Sequence, residues 1–264
     1  MWVPSPAGRL HAEVTGDGPI VVLQHGLCGD IGQPQEVFPQ GRGYAFAALN
    51  CRGHGDSPVG DPAALTIAHF TDDLAQMIDL LPSVPVAVGG ISMGAAMALR
   101  LAVTRPDLVQ ALILSRPAWV VSDAPVTMQP NAVVGRMLDQ GLAAFEATEI
   151  AQRLSVEAPD NLASLRGFFY RAPQQVTAAL LMRIAADGPG LTEADLGKLR
   201  VPTLVLGCTE DHIHPFAYAE ALARLIPGAR LVEVPPKGRN RAAHVAACQN
   251  AILEFLEGLT HAEP

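Results

Sequence analysis

The stretch Gly90-Ile91-Ser92-Met93-Gly94 combines residue types and spacing that could do chemistry. It follows the apolar run Val86-Ala87-Val88-Gly89 and precedes Ala95-Ala96-Met97-Ala98-Leu99, which favours helix. A serine on a tight strand-to-helix turn has a strained backbone, and glycine on either side removes the Cβ atoms that would clash there. Its hydroxyl then stands at a helix N-terminus, where backbone N–H groups and the helix dipole favour negative charge. That is the setting of a nucleophile, with the Met93 N–H placed to stabilise an oxyanion.

A serine hydroxyl needs a base to take its proton, and the base needs an acid to orient it. Candidates for both lie later in the chain. Asp211 lies in Gly207-Cys208-Thr209-Glu210-Asp211-His212-Ile213-His214-Pro215, directly after the apolar run Val201–Gly207. His244 follows the last strand-like run and opens the last helical stretch. Glu210 is the neighbouring alternative for the acid. His212 and His214 sit in the acid loop itself. A side chain so close to Asp211 in sequence is not expected to reach across the sheet edge, so both are read as loop-packing or pocket-lining. No further ligand pattern accompanies them, so no metal site is expected. His25 is read as structural, fixing its glycine-rich loop, and His54 as part of its own tight turn. His11, His69 and His261 have no companions.

These residues must be positioned by the elements around them. Continuous β-branched and aliphatic runs at Ile20–Gln24, Val86–Gly90 and Val201–Gly207 read as strands buried on both faces, with further strands at Arg9–Val14, Gly43–Asn50, Asp107–Leu114 and Arg230–Val234. Helical spacing marks Thr66–Leu81, Ala95–Val103, Ala217–Leu225 and Arg241–Leu259. Between Arg116 and Leu199 the strand grammar stops, and helices are expected at Val134–Leu154, Asn161–Tyr170, Gln175–Ala186 and Thr192–Leu199. Alternating strands and helices interrupted by one helical insertion imply an α/β sheet with a cap. Residues 1–115 and 200–264 would form the core, and 116–199 the cap.

Composition narrows the partners. The chain has 264 residues, 49% hydrophobic and 17% charged, ample for a sizeable core. A formal net charge of -8 with no dense Lys/Arg run argues against nucleic acid or an anionic membrane surface. No apolar run approaches the roughly 18 residues of a membrane span. Neither a secretory leader pattern nor a C-x-x-C pair is seen, and Cys28, Cys51, Cys208 and Cys248 read as reduced thiols, so a cytoplasmic protein is expected. Cys28 lacks any local cysteine-protease signature.

With His25-Gly26 after a strand, Arg52-Gly53-His54-Gly55-Asp56-Ser57, the turn around Ser92, Asp211 before Pro215 and a late His244, the sequence resembles the α/β-hydrolase superfamily in its cap-bearing branch. The resemblance covers nearly the whole chain. It implies the α/β-hydrolase fold, a mostly parallel central sheet flanked by helices with a helical cap insertion. It also implies Ser92 as nucleophile, His244 as general base and acid, Asp211 as orienting acid, and the Leu27 and Met93 N–H groups as oxyanion hole. Asp123, after the sixth-strand region, is an alternative acid position in some relatives. The chain departs from the pattern in having Asn50 where many relatives carry Asp, Ala95 where a second Gly is frequent, and no Gly-His pair near His244.

The implied activity is a serine hydrolase, without cofactor or metal, cleaving a small-to-medium, fairly apolar ester, lactone or thioester through an acyl-enzyme. A carbon–carbon bond hydrolase on the same triad, a cofactor-independent oxygenase and a ligand-binding receptor are the alternatives. Trp119, Phe145, Phe168 and Phe169 in the cap are expected to supply apolar pocket surface. Arg116, Arg166, Arg171 and Arg183 could anchor a carboxylate, although scattered arginines are usually solvated.

Overall fold

The computed structural model describes residues 1–260, so His261 lies outside the described residues. In chain order the elements are β1 (Trp2–Ser5), β2 (Gly8–Thr15), β3 (Ile20–Gln24), α1 (Gly32–Val37), β4 (Ala45–Leu49), α2 (Ile67–Asp79), β5 (Val86–Ile91), α3 (Met93–Thr104) and β6 (Val109–Ser115). Six helices follow without a strand: α4 (Gln129–Met137), α5 (Leu142–Glu146), α6 (Glu149–Glu157), α7 (Pro159–Gly167), α8 (Gln174–Ala185) and α9 (Glu193–Leu196). The chain then resumes with β7 (Thr203–Gly207), α10 (Phe216–Leu225), β8 (Arg230–Glu233) and α11 (Arg241–Thr260).

The eight strands form one sheet in the order β1-β2-β4-β3-β5-β6-β7-β8. β1–β2 and β2–β4 pair antiparallel, and every pair from β4 to β8 is parallel. Successive side chains of a strand point to opposite faces, and the core follows that rule. Val22, Val88, Leu112 and Leu114 enter one apolar cluster, while Val21, Leu23, Ala87, Ala111 and Ile113 enter the other. Both faces are therefore covered, which is why these strands read as unbroken apolar runs.

α2 shows how a helix is fixed at its start and along its length. Thr66 caps it, its hydroxyl accepting from the His69 N–H at 3.2 Å. Ile67, Phe70, Leu74, Met77 and Ile78 then recur at helical spacing and are all buried.

The segment between β6 and β7 has an apolar cluster of its own, with Val134, Phe145, Leu154, Leu165 and Leu181 among its members. α8 ties it to the body, because Leu180 and Ile184 enter the sheet's core while Leu181 enters the helical cluster.

Three local expectations need correction. The helix expected over Val134–Leu154 is divided into α4, α5 and α6. Gly141 takes φ 88° before α5, and the Thr148 hydroxyl caps α6. The strand expected from Asp107 starts at Val109, because Pro106–Leu108 forms a short 3-10 turn. β1, which contains Pro4, was not expected. It is an edge strand, where a residue without an N–H is tolerated.

Candidate active site

Ser92 stands between β5 and α3 with φ 57° and ψ -111°. A non-glycine residue held there stores about 1–3 kcal/mol of strain. The glycines are sterically required, since a Cβ on Gly90 would meet the Gly94 backbone and a Cβ on Gly94 would meet the Gln24 and His25 carbonyls. The Ser92 N–H donates to Ser115 O at 3.0 Å, tying the turn to the end of β6.

Leu27 sits on the loop after β3, held on both sides. The Gly26 N–H donates to Gln33 Oε1 at 2.6 Å, and the Cys28 N–H donates to His54 Nε2 at 3.0 Å. Between them, among the described residues, no protein group accepts from the Leu27 N–H. Met93 is the first residue of α3, and an N–H at that position has no acceptor within its helix.

Two buried histidines support this loop. His25 Nδ1 donates to Gly26 O at 2.8 Å, and its Nε2 accepts from the Cys51 N–H at 3.1 Å. Burial brings the His25 pKa down to about 4, so it is neutral and its donor and acceptor sites are fixed. Burial likewise lowers the His54 pKa well below the usual value.

The imidazole at Ser92 belongs to His214. Its Nε2 lies 2.9 Å from Ser92 Oγ, in position to accept the hydroxyl proton. Its Nδ1 donates to the Asp211 carboxylate, 3.0 Å from each oxygen. Asp211 Oδ1 also accepts from the His214 N–H at 3.0 Å and from Asn161 Nδ2 at 2.9 Å. Oδ2 accepts from Arg116 Nε at 3.0 Å and Nη2 at 2.5 Å. Burial alone would raise the Asp211 pKa, but the charges of His214 and Arg116 override it and hold the carboxyl well below the usual range. His214 is lowered chiefly by burial. Asp211 opposes that shift, while Arg116, whose Nη2 is 3.2 Å from Nδ1, reinforces it.

His244 is not the residue that meets Ser92. It lies in the first turn of α11, with Nδ1 donating back to Pro235 O at 2.8 Å and Nε2 3.7 Å from Cys248 Sγ, one helical turn on. It lines a cavity of about 80 Å³ that has Arg116 but not Ser92 among its walls. The physical reason is chain order across the sheet. Ser92, Arg116 and the Asp211–His214 loop follow β5, β6 and β7, three adjacent strands, whereas His244 is tied to the base of its own helix beyond β8. The expectation that His214 could not reach Ser92 is corrected on the same ground. A turn of three residues puts its ring on the Asp211 carboxylate, and the loop carries both toward β5.

Glu210 faces away from this site and pairs with Arg239 at the surface, and Asp123 lies exposed beside Gly188. Of the aromatic residues expected in the pocket, Phe168 lines the cavity at Ser92. Trp119 is 2% exposed and packs in the main core, its indole N–H donating to Asp187 O at 2.8 Å. Phe145 and Phe169 pack on each other in the helical cluster, with ring centroids 5.6 Å apart.

The cavity at Ser92 has a volume of about 190 Å³, with Leu27, Asn131, Phe168, His214 and Lys237 among its walls. It shares Cys28, Gly29, Ser164 and Phe168 with an open cleft of about 660 Å³ between the Gly53–Val59 loop and the start of α8. Lys237 comes from the loop after β8, and its Nζ lies 3.3 Å from Asp160 Oδ2 of α7. Among the described residues no group of three or more His, Cys, Asp or Glu is placed to hold a metal ion, and no helix is long and apolar enough to cross a membrane. All four cysteines are free, and burial pushes the Cys28 thiol up to about 12, which leaves it protonated at neutral pH.

A mostly parallel sheet with helices on both faces and a serine on the turn after its central strand defines the α/β-hydrolase class. The model of the serine aminopeptidase, S33 family matches residues 18–236, and the chain belongs to that family of α/β-hydrolases. RutD of Klebsiella pneumoniae, described as a carbamate hydrolase, is 30% identical over 236 residues, covering 82% of this chain and 83% of its own. The pimeloyl-[acyl-carrier protein] methyl ester esterase of Chromobacterium violaceum is 28% identical, covering 86% and 89%. A malate-bound thermophilic esterase from Thermogutta terrifontis superposes with a TM-score of 0.74 at 26% identity, covering 98% of each chain.

Proposed function

We propose that this hydrolase cleaves a carboxylic ester or a closely related acyl compound through an acyl-enzyme on Ser92, with His214 as general base and acid and Asp211 as its orienting partner. The observation that carries the reading is the His214 ring, 2.9 Å from Ser92 Oγ on one nitrogen and 3.0 Å from Asp211 on the other. His214 takes the Ser92 proton as Oγ attacks the carbonyl, then returns it to the leaving group. Water repeats the cycle on the acyl-enzyme. The Leu27 and Met93 N–H groups hold the oxyanion, and each such donor contributes a factor of roughly 10²–10³ in turnover.

The helical segment 116–199 serves as a cap over this site. Asn161 and Phe168 bring it to the catalytic residues, and the 190 Å³ cavity is small enough to select a short acyl group. The adjoining cleft of about 660 Å³ receives the leaving group. The esterase and carbamate-hydrolase descriptions of the relatives fit this chemistry, since both bond types present a carbonyl to a serine.

The test is labelling with a fluorophosphonate, read by intact mass and peptide mapping. Wild type and His244→Ala should each form one adduct on Ser92, with His244→Ala hydrolysing short esters within about tenfold of wild type. His214→Ala should label slowly and lose a factor of at least 10³ in kcat/KM, the order expected for a triad member. Retained activity in His214→Ala together with loss in a folded His244→Ala would reverse the assignment.

A further inference from the structure

The cavity wall holds one polar side chain that the protein leaves unused. Gln33 Oε1 accepts from Gly26, and Asn161 is engaged at both ends, by Asp211 and by the His212 N–H at 2.7 Å. Arg116 is bound to Asp211, Lys237 is paired with Asp160, and the Ser164 hydroxyl donates to Asp160 O at 3.0 Å. Asn131 of α4 differs. It is 6% exposed and lines the same cavity, yet its Oδ1 is buried without a partner, and among the described residues no protein group hydrogen-bonds either end of its carboxamide. A buried polar group left unpaired is destabilising, and most are satisfied by protein or by something bound.

We infer that Asn131 is a specificity-determining residue that binds an uncharged polar group, a hydroxyl or a carboxamide, on the short acyl chain of the substrate. The inference rests on the proposed acyl-transfer reading for the role of that chain. Oδ1 is closed to a water-sized group, so the end open to a ligand is the Nδ2 donor, and a hydroxyl or an amide oxygen can accept from it. The charged groups around the cavity are already paired within the protein, so an uncharged partner fits. The length follows from volume. A water molecule takes up about 30 Å³ of liquid, so 190 Å³ holds the equivalent of about six, enough for an acyl chain of a few carbons.

The experiment compares methyl 3-hydroxypropanoate with methyl butanoate, which differ by a hydroxyl in place of a methyl, by pH-stat kinetics. Wild type should favour the hydroxylated ester by about tenfold or more in kcat/KM, the scale of one well-placed hydrogen bond at a buried site. Asn131→Leu should reduce that ratio to one or below. Asn131→Asp serves as a second variant of nearly the same shape, and thermal unfolding confirms that each variant is folded.

A wild-type ratio near one, or a ratio unchanged in both variants, overturns the inference. So does failure to hydrolyse either ester while Ser92 still labels with fluorophosphonate, because the nucleophile would then be competent and the acyl assignment wrong. If Ser92 does not label, the proposed function fails. The inference is then decided by titrating the Ser92→Ala protein with 3-hydroxypropanamide and butanamide, read by NMR. Tighter binding of the hydroxylated amide, by about tenfold and lost in Asn131→Leu, supports it. Equal binding, or none, refutes it.

Discussion

Replacing Arg116 by Gln should move the acid limb of the pH–rate profile to higher pH. In the proposed mechanism His214 must be neutral to accept the Ser92 proton, so activity falls as the pH drops through its pKa. Burial is the larger cause of the low His214 pKa, and the Arg116 guanidinium adds to it from 3.2 Å. Two unit charges about 4 Å apart interact by about 4 kcal/mol at an effective dielectric of about 20, or about three pKa units at 1.36 kcal/mol each. Much of the Arg116 field is cancelled by Asp211, to which it is bidentate through a single oxygen. The shift is therefore smaller than that bare-charge figure, and its direction is upward. The assay is kcat/KM for a short ester from pH 4 to 9, with Arg116→Lys as the charge-retaining control. The plateau should fall as well, because Asp211 loses two donors. An acid limb that stays in place, or shifts downward, would refute the assignment of Arg116 as a charge that adds to burial in lowering the His214 pKa.

Two further outcomes follow from the same contacts. Asn161→Ala removes the hydrogen bond from α7 to Asp211, and hydrogen bonds to charged groups are worth about 1.5–3 kcal/mol; kcat should fall by about 10- to 100-fold, with a smaller change in KM, in steady-state kinetics. Arg52→Met leaves the Asp73 carboxylate, 0% exposed, without its bidentate partner at 2.6 and 2.9 Å, and should destabilise the fold by about 3–5 kcal/mol in urea denaturation.

The sheet was legible because its physics is local. A strand covered on both faces has to be apolar along its whole length, and β3, β5 and β7 announce themselves that way. The turn at Ser92 was legible because two glycines are forced there by backbone contacts between β5, α3 and the end of β3. The helical segment was legible as helical, but the sequence pattern did not separate α4, α5 and α6, whose boundaries depend on one glycine with positive φ and one threonine cap. Phe168 lines the cavity as expected, but Trp119, Phe145 and Phe169 pack elsewhere, for a related reason. Whether Phe145 or Phe168 faces the cavity depends on how short helices pack on one another, and residue type carries no trace of it.

The histidine that stands at Ser92 was missed for a different reason. Chain order alone points to the late histidine, because it treats base and acid as residues from separate loops. Asp211 and His214 have a simpler route. In a turn that ends at Pro215, residues three apart face the same way, so one loop supplies both groups and only Ser92 must be brought from elsewhere. The signal was present in the sequence as Asp-x-x-His directly after a buried strand. The loop after β8 presents Lys237 to the same cavity. Lys237 pairs with Asp160, and the next residue along α7, Asn161, binds Asp211. The start of α7 is therefore tied at once to Asp211 and to the loop after β8, so loss of that tie would remove a donor from Asp211.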